Sequence, residues 1–143
     1  ELWFNCVGRN ANLLLNVPPA RDGLLGAPDV KAMAAFGVAR RAFWSEEYDV
    51  PVSARASIAD LRLRRRGRVH AIMLEEAIMF GQRIARYRVE ADVAAGWVLC
   101  ARGTTIGRRK VDRFAPVETN HLRVVVEQSF GAPDFDVTRL AVD

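Results

Sequence analysis

Two stretches fix the kind of structure this chain can form. Ala85, Tyr87, Val89, Ala91 and Val93 alternate with Arg86, Arg88, Glu90 and Asp92. Leu122, Val124 and Val126 alternate in the same way with Arg123, Val125 and Glu127. A period of two sends successive side chains to opposite faces, so each stretch reads as an antiparallel strand with one buried and one wet face. Similar short runs at Ser57–Leu63, Val69–Leu74, Trp97–Ala101, Lys110–Phe114 and Thr138–Val142 bring the strand total to about seven. Gly67, Gly81, Gly96, Gly103, Gly107 and Pro133 punctuate them, and the pattern predicts a β-sandwich.

The first 44 residues follow a different rule. Asn12-Leu13-Leu14-Leu15-Asn16-Val17 is apolar without alternation, as in a strand covered on both faces of a parallel sheet. Pro18-Pro19 ends it, because neither can donate to a ladder. Arg21-Asp22-Gly23 is a turn, and Pro28 and Asp29 suit the first turn of a helix. Met33, Phe36, Gly37, Phe43 and Trp44 then fall on one helical stripe, with Gly37 suggesting a close neighbour. The expected division is 1–46, one β/α unit left from a larger α/β domain, and 47–143, the sandwich. The sequence opens at Glu1, without a basic n-region or a long apolar h-region, and reads as the middle of a longer protein.

Composition narrows the function classes. Half the residues are apolar and 27% are charged, which is globular rather than disordered. No apolar run approaches the ~18 residues of a membrane span, so no membrane partner is expected. Five arginines, Arg62, Arg64, Arg65, Arg66 and Arg68, crowd around Gly67, and the net charge of +4 would turn negative without them. The plain reading is a solvated turn joining two strand ends; an anion patch is the alternative. A nucleic-acid binder would spread its basic residues and interleave aromatics, so no nucleic-acid partner is expected.

Few residues suggest chemistry. Cys6 and Cys100 have neither metal spacing nor a disulfide framework and read as buried thiols. His70 and His121 are isolated, with no second ligand at metal spacing, so neither a metal nor a cofactor is implied. Glu75 and Glu76 are neighbours in a strand and point to opposite faces, so they cannot act on one bond; one is expected to meet Arg83 or Arg109 and order a loop. Trp97 could stack on a sugar, but its neighbours Val98 and Leu99 favour core packing. Gly103-Thr104-Thr105-Ile106-Gly107 reads as a structural loop.

Two stretches resemble a known family. Val7-Gly8-Arg9-Asn10-Ala11-Asn12-Leu13-Leu14-Leu15-Asn16-Val17-Pro18-Pro19, with Asp22-Gly23-Leu24 and Asp29 following, is similar to the last barrel strand of α-L-fucosidases of glycoside hydrolase family 29. Phe36-Gly37 in the next helix also fits that family. Leu74-Glu75-Glu76-Ala77-Ile78, Gly81-Gln82-Arg83-Ile84, Trp97, Ala101–Lys110 and Arg113-Phe114 resemble its appended, galactose-binding-like jelly-roll sandwich. The two prolines and the GTTIG loop look more like the subgroup acting on α-1,3- and α-1,4-linked fucose.

The resemblance implies a parent that hydrolyses terminal α-L-fucose with retention. It would use an Asp nucleophile and a carboxyl acid/base ~5–5.5 Å apart, both in the (β/α)8 barrel upstream of Glu1. No acidic residue here matches the nucleophile motif, so no catalytic residue is assigned and the chain alone is expected to be inactive. Asp22 and Asp29 are explained by a turn and a helix start. Val17, Pro18 and Pro19 would lie near the mouth of the barrel, where a wall of the substrate site is one reading and strand termination the other. The implied partners are a fucosylated glycan, through the barrel, and the remainder of the catalytic domain. A non-catalytic carbohydrate-binding module and an arginine-driven polyanion binder are the competing readings.

Overall fold

The computed structural model describes residues 1–44 and 52–143, so the expected 46/47 boundary lies outside the described residues. Two helices, α1 (Leu2–Cys6) and α2 (Ala27–Ala42), precede six strands. These are β1 (Val52–Ala54), β2 (Ile58–Glu76), β3 (Ile84–Val93), β4 (Gly96–Gly103), β5 (Lys110–Ser129) and β6 (Phe135–Val142). They form one antiparallel sheet in the order β1-β6-β2-β5-β3-β4.

The seven expected strands become five because two pairs of short strands are each continuous, and β1, which the sequence reading did not anticipate, makes the sixth. β2 takes in 58–63 and 69–74, and β5 contains both 110–114 and 122–127. The joins are irregular. Arg62 pairs with His121 and Gly67 with Thr119, so residues 63–66 face Asn120 alone. Val69 pairs with Val117 and Ala71 with Arg113, so the segment holding Pro116 bulges outward, where its missing N–H costs no ladder bond. Bulges bend a strand. With two on adjacent strands, the sheet folds over itself into two layers. One holds β1, β6 and the halves of β2 and β5 near Leu74 and Lys110; the other holds their opposite halves with β3 and β4.

The core lies between the layers. Leu61, Tyr87, Val89, Leu122 and Val124 from one meet Ile72, Leu74, Phe135, Val137 and Leu140 from the other. Tyr87 crosses the interior. It pairs with Val126 on β5, yet its hydroxyl donates to Oδ2 of Asp112, at the far end of the same strand. Burial, with the Asp112 carboxylate beside it, pushes the Tyr87 phenol far above its usual range, so it remains a donor. Burial also raises Asp112. Tyr87 fits because Gly103 faces it across the β3–β4 ladder: a Cβ there would stand well inside contact distance of Cε1, Cζ and the hydroxyl oxygen of the ring.

The N-terminal 44 residues behave as two parts. Trp3, Phe4, Val7, Phe43 and Trp44 pack on the outer face of the first layer, against Ala71, Met73, Val111 and Ala141. Residues 12–17, by contrast, form no ladder, and Leu14 is 92% exposed. The expected strand is absent because the described chain offers it no neighbouring strand. α2 begins as expected, with Pro28 and Asp29 in its first turn. Its stripe is not buried, however: Met33 and Phe36 remain exposed, and only Phe43 and Trp44, beyond its end, reach the sheet. Gly37 has no close neighbour except Arg41 of its own helix.

Replacing Gly103 by Ala should overpack the Tyr87 site and lower the unfolding free energy by about 1–3 kcal/mol. Urea unfolding of the two proteins measures it. An unchanged midpoint would show that Tyr87 can move aside at no cost.

Candidate functional site

The best-organised polar site is a seam where the N-terminal segment meets two loops of the sandwich. Its centre is Glu76, only 5% exposed at the end of β2. Oε1 accepts the backbone N–H groups of Arg83 at 2.6 Å and Ile84 at 3.0 Å, and Oε2 accepts that of Gly107 at 3.1 Å. The Glu76 N–H in turn donates to the Gly107 carbonyl at 2.8 Å. One buried carboxylate thus joins the β2–β3 loop to the GTTIG loop, and three N–H donors offset the loss of its hydration. Gln82 adds a weaker tie, donating to Thr105 Oγ1 at 3.4 Å. Ile106 plugs the core, fully buried.

Asn10 fastens the N-terminal segment to this loop. It takes a left-handed backbone conformation, φ 67°, which Asn tolerates better than most residues. Its Nδ2 donates to the Ile106 carbonyl at 2.9 Å, and its Oδ1 accepts from Arg109 N–H at 2.8 Å. Its own N–H donates to the Arg109 carbonyl at 3.2 Å, and Val111 N–H donates to the Gly8 carbonyl at 2.9 Å. Residues 8–10 therefore lie along the start of β5. Gly8 permits the approach, since a Cβ there would stand 2.6 Å from the Phe4 carbonyl oxygen and 3.1 Å from Val111 Cβ. At the outer end, Arg113 holds the Glu1 carboxylate through two bonds of 2.8 and 2.5 Å.

Glu75 points to the other side of β2, as expected, and pairs with Arg109 at 2.5 Å. It borders a cavity of about 630 Å³ lined by Trp3, Arg40, Trp44, Met73, Arg109 and Arg139 among others. The neighbouring glutamates divide the work. Glu75 meets Arg109, while Glu76 orders Arg83 through its backbone. Sequence reading missed Asn10 and the Tyr87–Asp112 pair. The signal for Asn10 was a Gly-x-Asn ahead of an apolar run; nothing local marks Asp112, whose partner lies 25 residues away.

The remaining candidates are dispersed. Val17 is half-buried, Pro18 and Pro19 are exposed, and none of them lines that cavity. Cys6 and Cys100 are free and half-buried rather than buried, and burial raises the Cys100 thiol. His70 lies 3.4 Å from Asp143, and His121 stands between Asp60 at 2.5 Å and Asp92 at 3.5 Å. Trp97 does not enter the core. It is 36% exposed on the outer face, with Arg123 4.0 Å from its ring centroid and His121 against its edge. The apolar neighbours misled because Leu99 is exposed as well.

Glu76→Gln should cost about 2–3 kcal/mol of stability, since a neutral amide is a weaker acceptor and its NH2 meets a buried N–H. Amide exchange should quicken at Arg83, Ile84 and Gly107 together. Faster exchange at one loop only would show that the carboxylate does not couple them.

No protein-family model matches the chain. Alpha-L-fucosidase 1 of Arabidopsis thaliana is 26% identical in a match covering 100% of this chain and 35% of the relative. A solved structure described as a candidate α-L-fucosidase, from Bacteroides thetaiotaomicron, superposes with a TM-score of 0.92 at 29% identity, over 99% of this chain and 32% of that one. A glycoside hydrolase 29 family member from an unknown rumen bacterium gives a TM-score of 0.79 at 25% identity, over 98% and 27%. The chain thus spans about a third or less of the length of each. In sequence and in fold, it resembles α-L-fucosidases of glycoside hydrolase family 29 along nearly its whole length.

Proposed function

We propose that this chain is the C-terminal part of a retaining α-L-fucosidase and that it braces the catalytic barrel without supplying a catalytic carboxylate. The observation that carries this reading is the contrast within the first 44 residues. Residues 3–10 and 43–44 are tied to the sandwich, whereas Leu14, Leu15, Leu24, Leu25, Val30, Met33, Phe36 and Val38, between those ties in sequence, are all exposed. So many exposed large apolar side chains within one short segment support a missing partner. The unpaired strand sequence at 12–17 gives that partner a form: the neighbouring strands and helices of a (β/α)8 barrel, of which residues 1–46 are the last unit and 47–143 the appended domain.

In that setting the chemistry belongs to two carboxyl groups upstream, a nucleophile that forms a glycosyl-enzyme and an acid/base that protonates the departing oxygen. The residues of this chain hold the last strand in register. Asn10 and Gly8 fix where it leaves the sandwich, and Pro18-Pro19 end it at the barrel mouth, where Val17, Pro18 and Pro19 would wall the fucose site. The glycan partner is a fucosylated one, with α-1,3- and α-1,4-linked fucose as the proposed linkages. The carbohydrate-binding reading has less support: the most exposed tryptophan, Trp97, already carries Arg123 on its ring.

Hydrolysis of an aryl α-L-fucoside tests the proposal. The chain alone should release no phenol above a boiled control, while the same chain preceded in frame by its upstream barrel should turn over with retention. Activity of the chain alone, or an inactive longer protein that folds, would overturn it.

A further inference from the structure

We propose that the arginine corner of β2 is a docking surface for a sulfated polysaccharide. Arg62, Arg64, Arg65, Arg66 and Arg68 are all exposed. They do not form a turn between two strands; they lie within one strand, at the bulge where it bends. Leu61, Leu63 and Val69 are buried on the inner side and fix the backbone there. Because residues 63–66 face a single residue of β5, the usual alternation fails, and three consecutive arginines, 64 to 66, all reach solvent.

The rest of the sheet shows how unusual this is. Arg88 is paired with Glu90 and Glu127, Arg123 with Glu90, Arg109 with Glu75, and Arg113 with Glu1. At the corner, Arg66 reaches only the Glu118 carbonyl, at 3.5 Å. Among the described residues, Arg62, Arg64 and Arg68 make no side-chain hydrogen bond or ion pair. Nearby acids are engaged elsewhere: Asp60 with His121 and Asp143 with His70. Glu118 stands opposite Arg68 in the ladder without pairing to it. Arginines without an acidic partner, such as Arg62, Arg64 and Arg68, repel one another and concentrate counter-anions, and a polyanion satisfies them best.

The chemistry selects the polyanion. Guanidinium is permanently charged, weakly hydrated and forked, and it binds oxyanions through two parallel N–H bonds. A sulfate ester presents such oxygens and keeps its charge at any working pH. Nucleic acid offers phosphates too, but single strands are held by stacking on aromatics, and none lies between Arg62 and Arg68. The surface stands apart from the seam and from the fucosidase reading, so either can fail alone.

Heparin is the probe, with polygalacturonate as a carboxylate-only chain and an oligothymidylate as nucleic acid. Heparin affinity should fall linearly with salt on logarithmic axes. Arg62→Gln/Arg64→Gln/Arg68→Gln should lower that slope by about 3, roughly one per arginine, with an unchanged melting temperature. The triple Lys variant should keep the slope and lose affinity, which separates fork geometry from charge and serves if the Gln variant folds poorly. Arg40→Gln/Arg41→Gln on α2 should bind as the parent does. An unchanged slope in the Gln variant, an equal loss in the α2 variant, or binding of either other polymer as tight as that of heparin would overturn the proposal.

Discussion

The seam depends on one buried carboxylate. Glu76 has given up water and is stabilised only because three backbone donors from two loops converge on it. That convergence sets the conformation of the GTTIG loop, and the loop then presents the Ile106 carbonyl and the Arg109 peptide to Asn10. The order of dependence runs outward, from Glu76 to the loop, from the loop to Asn10, and from Asn10 to the place where the following residues leave the sandwich. Aromatic packing of Trp3, Phe4, Phe43 and Trp44 reinforces both ends of the departing segment. Between those ends Leu13 still packs on the same cluster, while Leu14, Leu15, Met33 and Phe36 are exposed.

The sandwich was legible where its signal is local. Alternation placed β3 and the second half of β5, because a half-buried strand writes its two faces into the sequence at period two. The joins within β2 and β5 were not legible. Gly67 and the arginines look like a turn to any local rule, and only pairing with a partner strand shows that the chain continues through a bulge. Tyr87 and Asp112 illustrate the same limit: their bond spans the folded interior, and its cause, the doubling of the sheet, appears in no short window.

The N-terminal part shows the converse. The helix was read correctly, since Pro28 and Asp29 stand in the first turn of α2, but the strand expected at 12–17 does not form among the described residues. Their burial was read for a larger structure than this chain supplies. A strand covered on both faces needs neighbours on both edges, and a helix stripe needs a surface, so these residues remain in solvent although their composition belongs to an interior. On the proposed reading that interior is a catalytic barrel, a suggestion that comes from the resemblance to family 29 fucosidases and not from periodicity.

Hydrogen exchange, comparing this chain with a version that carries its upstream sequence, tests the account most directly. In the chain alone, amides at Asn10 and Val111 should be slow while those at Leu13–Val17 exchange almost as in an unfolded peptide. In the longer protein, Leu13–Val17 should become as slow as Tyr87–Ala91. Protection of Leu13–Val17 in the chain alone would contradict the account, because the strand would then have found its partners within the sandwich.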